Sequence, residues 1–290
     1  MSKKLKKKIT FNDLIKFSPP VKNIMNWDNT QIRIKNSQTI NREFNVDKWG
    51  DLKNRFLNNE IKSLHEADSY IDFFNENIAY LHKKNFYISS GKDIFDEHLY
   101  LYYSTLKEYA TKNTPLVELG AGYGSKILNL ALNTDLKYSS LHAAEYTDNG
   151  IELMKLISKR ENLELEVGRC NFYDYSIDGV DIPENSIIFT SFSLHYIKKL
   201  NDRMIDFFLN LKPKVVINFE PCFEAYSSET IHGLMCQRYI FLNDYNTNFL
   251  SLIIKNSKKK NIYSHIEKNI IGSNPLLPLS IIKWSKVDEF

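Results

Sequence analysis

Residues 117–124 read Val-Glu-Leu-Gly-Ala-Gly-Tyr-Gly, an apolar run that ends on a carboxylate, Glu118, and then breaks into alternate glycines, Gly120, Gly122 and Gly124. Glycine accepts positive φ and leaves room for a ligand to lie against the backbone, and a helix starting just beyond would offer it unpaired N–H groups. A dinucleotide fingerprint asks for glycine at the first, third and sixth positions, but the sixth position here is Ser125. The spacing therefore argues against a pyrophosphate ligand and a nicotinamide-dependent dehydrogenase.

Other residues could act beside this loop. Ala143-Ala144-Glu145 is a small-residue run ending on a second carboxylate, 27 residues after Glu118. Gly168-Arg169-Cys170-Asn171-Phe172 sets an amide beside an aromatic ring, with Asp174 as the alternative polar group. In Thr190-Ser191-Phe192-Ser193-Leu194-His195-Tyr196, the imidazole is neutral and basic near pH ~7 if unperturbed. Asn218-Phe219-Glu220 ends on a carboxylate at the edge where open α/β sheets bind ligands. His195 and Glu220 are accordingly the candidate bases. Downstream, Glu224, Arg238, Tyr239 and Asn243 are the candidate acceptor-binding residues; with His232, Asp244, Tyr245 and Asn246 they mix polar groups and aromatic rings, as a polar, hydroxyl-rich acceptor would need. Asp244 lacks a triad of oxygen ligands, and Cys170, Cys222 and Cys236 lack Cys-x-x-Cys spacing. Neither a metal site nor a disulfide framework is expected.

The elements that must hold these residues follow from hydrophobic spacing. After Pro115, short apolar runs alternate with helix-length intervals, the pattern of a mostly parallel sheet covered on both faces. Strands are predicted at 116–119, 141–146, 163–167, 186–190 and 214–219, with helices at 125–132, 148–159 and 201–211. Two further strands are predicted near 262–266 and 281–284. The stretch 224–258 is an insertion of one or two helices. Between residues 10 and 110, apolar residues from Trp49 to Leu81 recur at three- and four-residue intervals, predicting amphipathic helices, and another helix is predicted over 95–109.

Composition bounds the function. The 290 residues are 43% hydrophobic and 25% charged, enough to bury a core and unlike a disordered chain. Net charge is +3, but residues 1–9 contain five lysines and no acid, leaving 33 bases against 35 acids elsewhere. A basic tail on a slightly acidic body disfavours a nucleic-acid partner, and the tail is predicted to be disordered. No apolar run reaches membrane-spanning or signal-peptide length, so a cytoplasmic protein without a membrane partner is expected.

The glycine motif and the acids around it resemble those of the class I S-adenosylmethionine-dependent methyltransferases, over about residues 114–220. The resemblance implies a Rossmann-like α/β fold with a mostly parallel seven-stranded sheet. It places Glu118, Gly120, Gly122 and Gly124 about the methionine part of S-adenosylmethionine, Glu145 on the ribose hydroxyls, Asn171 and Phe172 at the adenine, and Ser191 near the methyl group. The Asn/Asp-Pro-Pro-aromatic motif of amino-methylating nucleic-acid enzymes is absent. The resulting expectation is a disordered tail (1–9), a helical cap or substrate domain (10–110) and a cofactor-binding domain (111–290). The expected reaction is methylation of a small polar acceptor, foremost O-methylation of a sugar or sugar nucleotide. N-methylation of an amine, amino acid or peptide side chain is the alternative, followed by a non-catalytic cofactor-binding subunit; a homodimer would use the helical front.

Overall fold

The computed structural model describes residues 6–25 and 32–286. Its strands are β1 (Lys7–Ile9), β2 (Asn77–His82), β3 (Asn85–Ser90), β4 (Leu116–Leu119), β5 (Leu141–Glu145), β6 (Glu166–Asn171), β7 (Ser176–Asp178), β8 (Ile187–Ser191), β9 (Val215–Pro221), β10 (Tyr263–Gly272) and β11 (Leu279–Ser285). They form one sheet in the order β1-β3-β2-β10-β11-β9-β8-β4-β5-β6-β7. The expected seven-stranded sheet is thus corrected to eleven strands of mixed direction. β4, β5, β6, β8 and β9 pair in parallel, whereas β7, β11, β10 and the β1–β3 group pair antiparallel.

Alternation along the strands builds two layers. On β4, Leu116 faces one core, with Ile127, Leu153 and Ile157 from helices Ser125–Asn133 and Asp148–Arg160. Val117 and Leu119 face the other, with Met204, Ile205 and Phe208 from Asp202–Asn210 and Leu252 and Ile253 from Phe249–Lys260. All four residues of β4 are buried, as a strand covered on both faces requires. The chain leaves β4 toward β5 and β6 on one side but places β8 and β9 on the other, so the loops after β4 and β8 diverge and open a crevice between them.

The N-terminal region corrects two further expectations. It is not a helical cap apart from the sheet: β2 and β3 form a hairpin whose two loop residues, Lys83 and Lys84, have φ of 47° and 67°, and β2 pairs with β10. Residues 1–5 of the basic tail lie outside the described residues, but Lys7–Ile9, expected to be disordered with them, pair with Phe86–Ile88 of β3. Helices Leu64–Ile71 and Gly91–Lys107 start on Ser63 and Ser90, whose hydroxyls accept the Glu66 and Asp93 backbone N–H groups. The expected 224–258 insertion contains helix Ile231–Leu242 and most of Phe249–Lys260. No helix among the described residues is long and apolar enough to cross a membrane.

Candidate active site

A cavity of about 210 Å³ lies in the crevice at the carboxyl edge of the sheet. Its floor is Gly120–Tyr123 after β4, Glu145–Thr147 after β5, Cys170, Phe172 and Tyr173 around the end of β6, and Ser191–Ser193 at β8. Gly120 and Gly122 have φ of +75° and +60°; a Cβ on Gly120 would lie 2.5 Å from the Ser193 Cβ, and one on Gly122 3.1 Å from the Trp49 ring. Only glycine lets this loop turn while its backbone faces the cavity.

Glu145 is fixed at the cavity wall. One carboxylate oxygen accepts the Gly122 N–H at 2.9 Å, and the other accepts the Thr147 N–H and hydroxyl at 3.1 and 2.8 Å. A carboxylate oriented in this way retains lone pairs for a diol. The roof is a π-helical stretch, Asn41–Gly50, which with the preceding Ile40 contributes Ile40, Phe44 and Trp49. Trp49 packs on Tyr123 with ring centroids 5.1 Å apart. Asn149 ties the roof down, donating its backbone N–H to the Asn45 side chain at 2.8 Å and its side-chain amide to the Asn45 carbonyl at 2.7 Å.

A second cavity, about 380 Å³, adjoins the first and shares Lys126, Phe192 and Tyr196 with it. Its remaining walls include Ile78, Ile94, Phe95, Leu99 and Leu277 among apolar residues and Asp72, His98, Tyr102 and Asn274 among polar ones, with Lys48 at the exposed rim. His98 and Tyr102 lie four residues apart on one face of Gly91–Lys107, and Tyr102 shares a 2.9 Å hydroxyl hydrogen bond with Ser191 of the first cavity. Asp68 and Asp72 are likewise one helical turn apart. Buried Asp68 accepts from Tyr123 Oη at 2.8 Å, Ser125 Oγ at 2.6 Å and Asn129 Nδ2 at 2.7 Å, clamping helix Leu64–Ile71 to the glycine loop. That clamp positions Asp72 at the chamber.

The residues expected from sequence divide clearly. Gly120, Gly122, Glu145, Phe172 and Ser191 line the first cavity. Gly124 instead packs on Met154. Glu118 lies beneath the loop, fully buried, where its Oε2 accepts the Ile127 N–H at 3.0 Å; burial pushes its carboxyl up to about 8. Asn171 turns aside to Asp174 at 2.9 Å and to the Tyr173 N–H.

Glu220 and His195 face neither cavity. Glu220 is wholly enclosed and accepts from Thr190 Oγ1, the Ser193 N–H and hydroxyl, and the Leu194 N–H at 2.9–3.2 Å, making it a cap for the short turn Leu194–Tyr196. His195 is shut in by Tyr196 and Tyr245, with ring centroids 4.0 and 4.6 Å away. The insertion residues also lie outside both walls: Glu224 caps Phe249–Lys260 through the Ser251 N–H at 2.9 Å, Asn243 donates to the Tyr239 carbonyl at 2.9 Å, and Arg238 and Tyr239 lie on helix Ile231–Leu242. Sequence reasoning missed Asp72, His98, Tyr102 and Lys126. The signal for the first three was their four-residue spacing beside Asp68 and along the 95–109 helix.

No protein-family model matches the chain, and no curated protein matches it. Among solved structures, it is similar to the small RNA methyltransferase HEN1 at 14% identity and a TM-score of 0.47, over 69% of this chain but only 28% of that one. The plantazolicin methyltransferase BpumL is 12% identical, with 82% and 96% of the two chains covered and a TM-score of 0.44. Geranyl diphosphate C-methyltransferase from Streptomyces coelicolor A3(2) is 8% identical, with 68% and 81% covered and a TM-score of 0.46. Likenesses this distant assign no activity.

Proposed function

We propose that the chain transfers the methyl group of S-adenosylmethionine to a small molecule held in the second cavity. The observation that carries this reading is the glycine loop at the sheet's crevice with Glu145 fixed by the Gly122 N–H, beside a chamber that shares Lys126, Phe192 and Tyr196. Glu145 suits the ribose diol, Phe172 with Tyr146 or Tyr173 suits the adenine, and the Lys126 ammonium suits the cofactor's carboxylate. Bound there, the cofactor supplies a methyl group on a sulfonium whose departure needs no proton. The chain's own residues align the acceptor and keep water out, as the roof and the aromatic shared wall allow.

The O-methylation of a sugar expected from sequence relied on His195 and Glu220 as bases. With both enclosed, the chamber's mixed wall, apolar at Ile78, Ile94, Phe95, Leu99 and Leu277 and polar at Asp72, His98 and Lys126, favours an acceptor with an apolar body and one polar end. Calorimetric titration with S-adenosylmethionine and S-adenosylhomocysteine tests the cofactor assignment. Binding by the wild type, weakened at least about tenfold in Glu145→Ala, is expected from loss of a charged hydrogen-bond acceptor. Equal binding by both proteins, or none by the wild type, would refute it.

A further inference from the structure

Three groups facing the second cavity are unused by the fold. The side chains of Asp72, His98 and Lys126 make no hydrogen bond or ion pair with any described residue, and His98 Nε2 is buried with no partner. The buried His98 nitrogen is costly to leave unsatisfied, and its convergence with the half-buried Asp72 and Lys126 on one chamber points to a ligand that meets all three. Lys126 also lines the first cavity, where it would meet the cofactor's carboxylate. Lys48 lies at the rim, 3.4 Å from Glu43 and over the Phe44 ring. Asp72 is then the fixed charge left inside the chamber.

Resting on the methyltransferase reading above, we propose that the acceptor is a small primary or secondary amine on an apolar or aromatic body, with its ammonium on the Asp72 carboxylate and an N–H donated to His98 Nε2. The backbone sets the carboxylate's position: Asp72 ends the helix clamped by Asp68, and its carbonyl lies 2.3 Å from where a Cβ on Gly91 would be, so the two helices meet only because residue 91 is glycine. Ile94, Phe95, Leu99 and Leu277 provide the apolar walls for the body. Burial pushes the Asp72 carboxyl up to about 6, nearer the range in which it can exchange a proton with an amine. In the reaction, the ammonium gives one proton to Asp72. The freed lone pair forms the N–C bond as the C–S bond breaks, its electron pair remaining on sulfur; the product is a methylated ammonium and a neutral thioether.

The test compares phenethylamine with its isostere 2-phenylethanol, read as binding to the full chain by calorimetry with and without saturating S-adenosylhomocysteine. Phenethylamine should bind at least about tenfold more tightly, and Asp72→Asn should abolish that preference while leaving the binding of 2-phenylethanol unchanged. Equal binding of the two by the wild type would overturn the proposal without recourse to any variant, as would an amine preference that persists in Asp72→Asn. Amine preference without any binding of S-adenosylhomocysteine would remove the methyltransferase reading but leave the amine site standing.

Discussion

Glu118 offers a test of how the glycine loop is supported. Its Oε2 accepts the Ile127 N–H, and Oε1 is buried without a partner. Burial is the main cause that pushes the carboxyl from its ordinary 4.5 up to about 8; Lys126 and the Ile127 N–H oppose the rise, and Glu145 adds to it. An acid with a higher pKa in the folded state contributes stability that is complete below the unfolded value and lost as pH rises through the folded one. The window therefore runs from pH 4.5 to about 8, and at 1.36 kcal/mol per pH unit the full swing is about 5 kcal/mol. Glu118→Gln abolishes the titration while retaining volume and an acceptor for Ile127. In urea unfolding at about pH 5 and about pH 8, the stability of the variant relative to wild type should rise by several kcal/mol toward the higher pH. Asp72, raised to about 6, acts in the same sense, and His98, lowered to about 3, in the opposite one; both occur in each protein and cancel in the difference. An unchanged difference across the window would refute this account of Glu118.

Two further substitutions test the loop's supports. Gly122→Ala places a Cβ at φ +60° and 3.1 Å from Trp49, so melting should show a loss of about 1–2 kcal/mol, and S-adenosylhomocysteine should bind more weakly as the roof is displaced; wild-type values in both would count against the packing described. Asp68→Ala leaves the Tyr123 and Ser125 hydroxyls and an Asn129 N–H without their acceptor, so chemical denaturation should show a loss of about 3 kcal/mol or more, with Asp68→Asn intermediate; equal stability of all three proteins would show that the clamp carries no load.

Much of the α/β core was legible because burial on both faces writes a strand as a short apolar run, as in Leu116–Leu119 and Ile187–Ser191. The place of the glycine loop and Glu145 at the crevice was legible because a tight turn of positive φ at a strand end restricts residue type. The β2–β3 hairpin was not. Its loop takes positive φ at Lys83 and Lys84, where Asn-Gly is the usual signal, and the spacing of Ile78 and Leu81 also fits a helix. The candidate bases misled for a different reason. A carboxylate at a strand end can face a ligand or cap the next turn, and the choice for Glu220 depends on the path of residues 190–195, which the sequence pattern does not encode.

The hairpin changes what the N-terminal region can do. A cap hinged apart from the sheet could swing over an acceptor, but β2 is bonded to β10, and helix Gly91–Lys107 is tied to β8 through Tyr102 and Ser191. The second chamber therefore has walls belonging to the same sheet as the first cavity, which on the proposed methyltransferase reading suits an in-line transfer that depends on alignment. The roof is held differently: Asn41–Gly50 adds no strand and is fastened through Asn45 to Asn149 and through Trp49 to the glycine loop. π-helical stretches are rare and frequently lie at functional sites. The first cavity is thus roofed by one short helical segment resting on the glycine loop, and the second chamber beside it is already walled by the sheet and helix Gly91–Lys107.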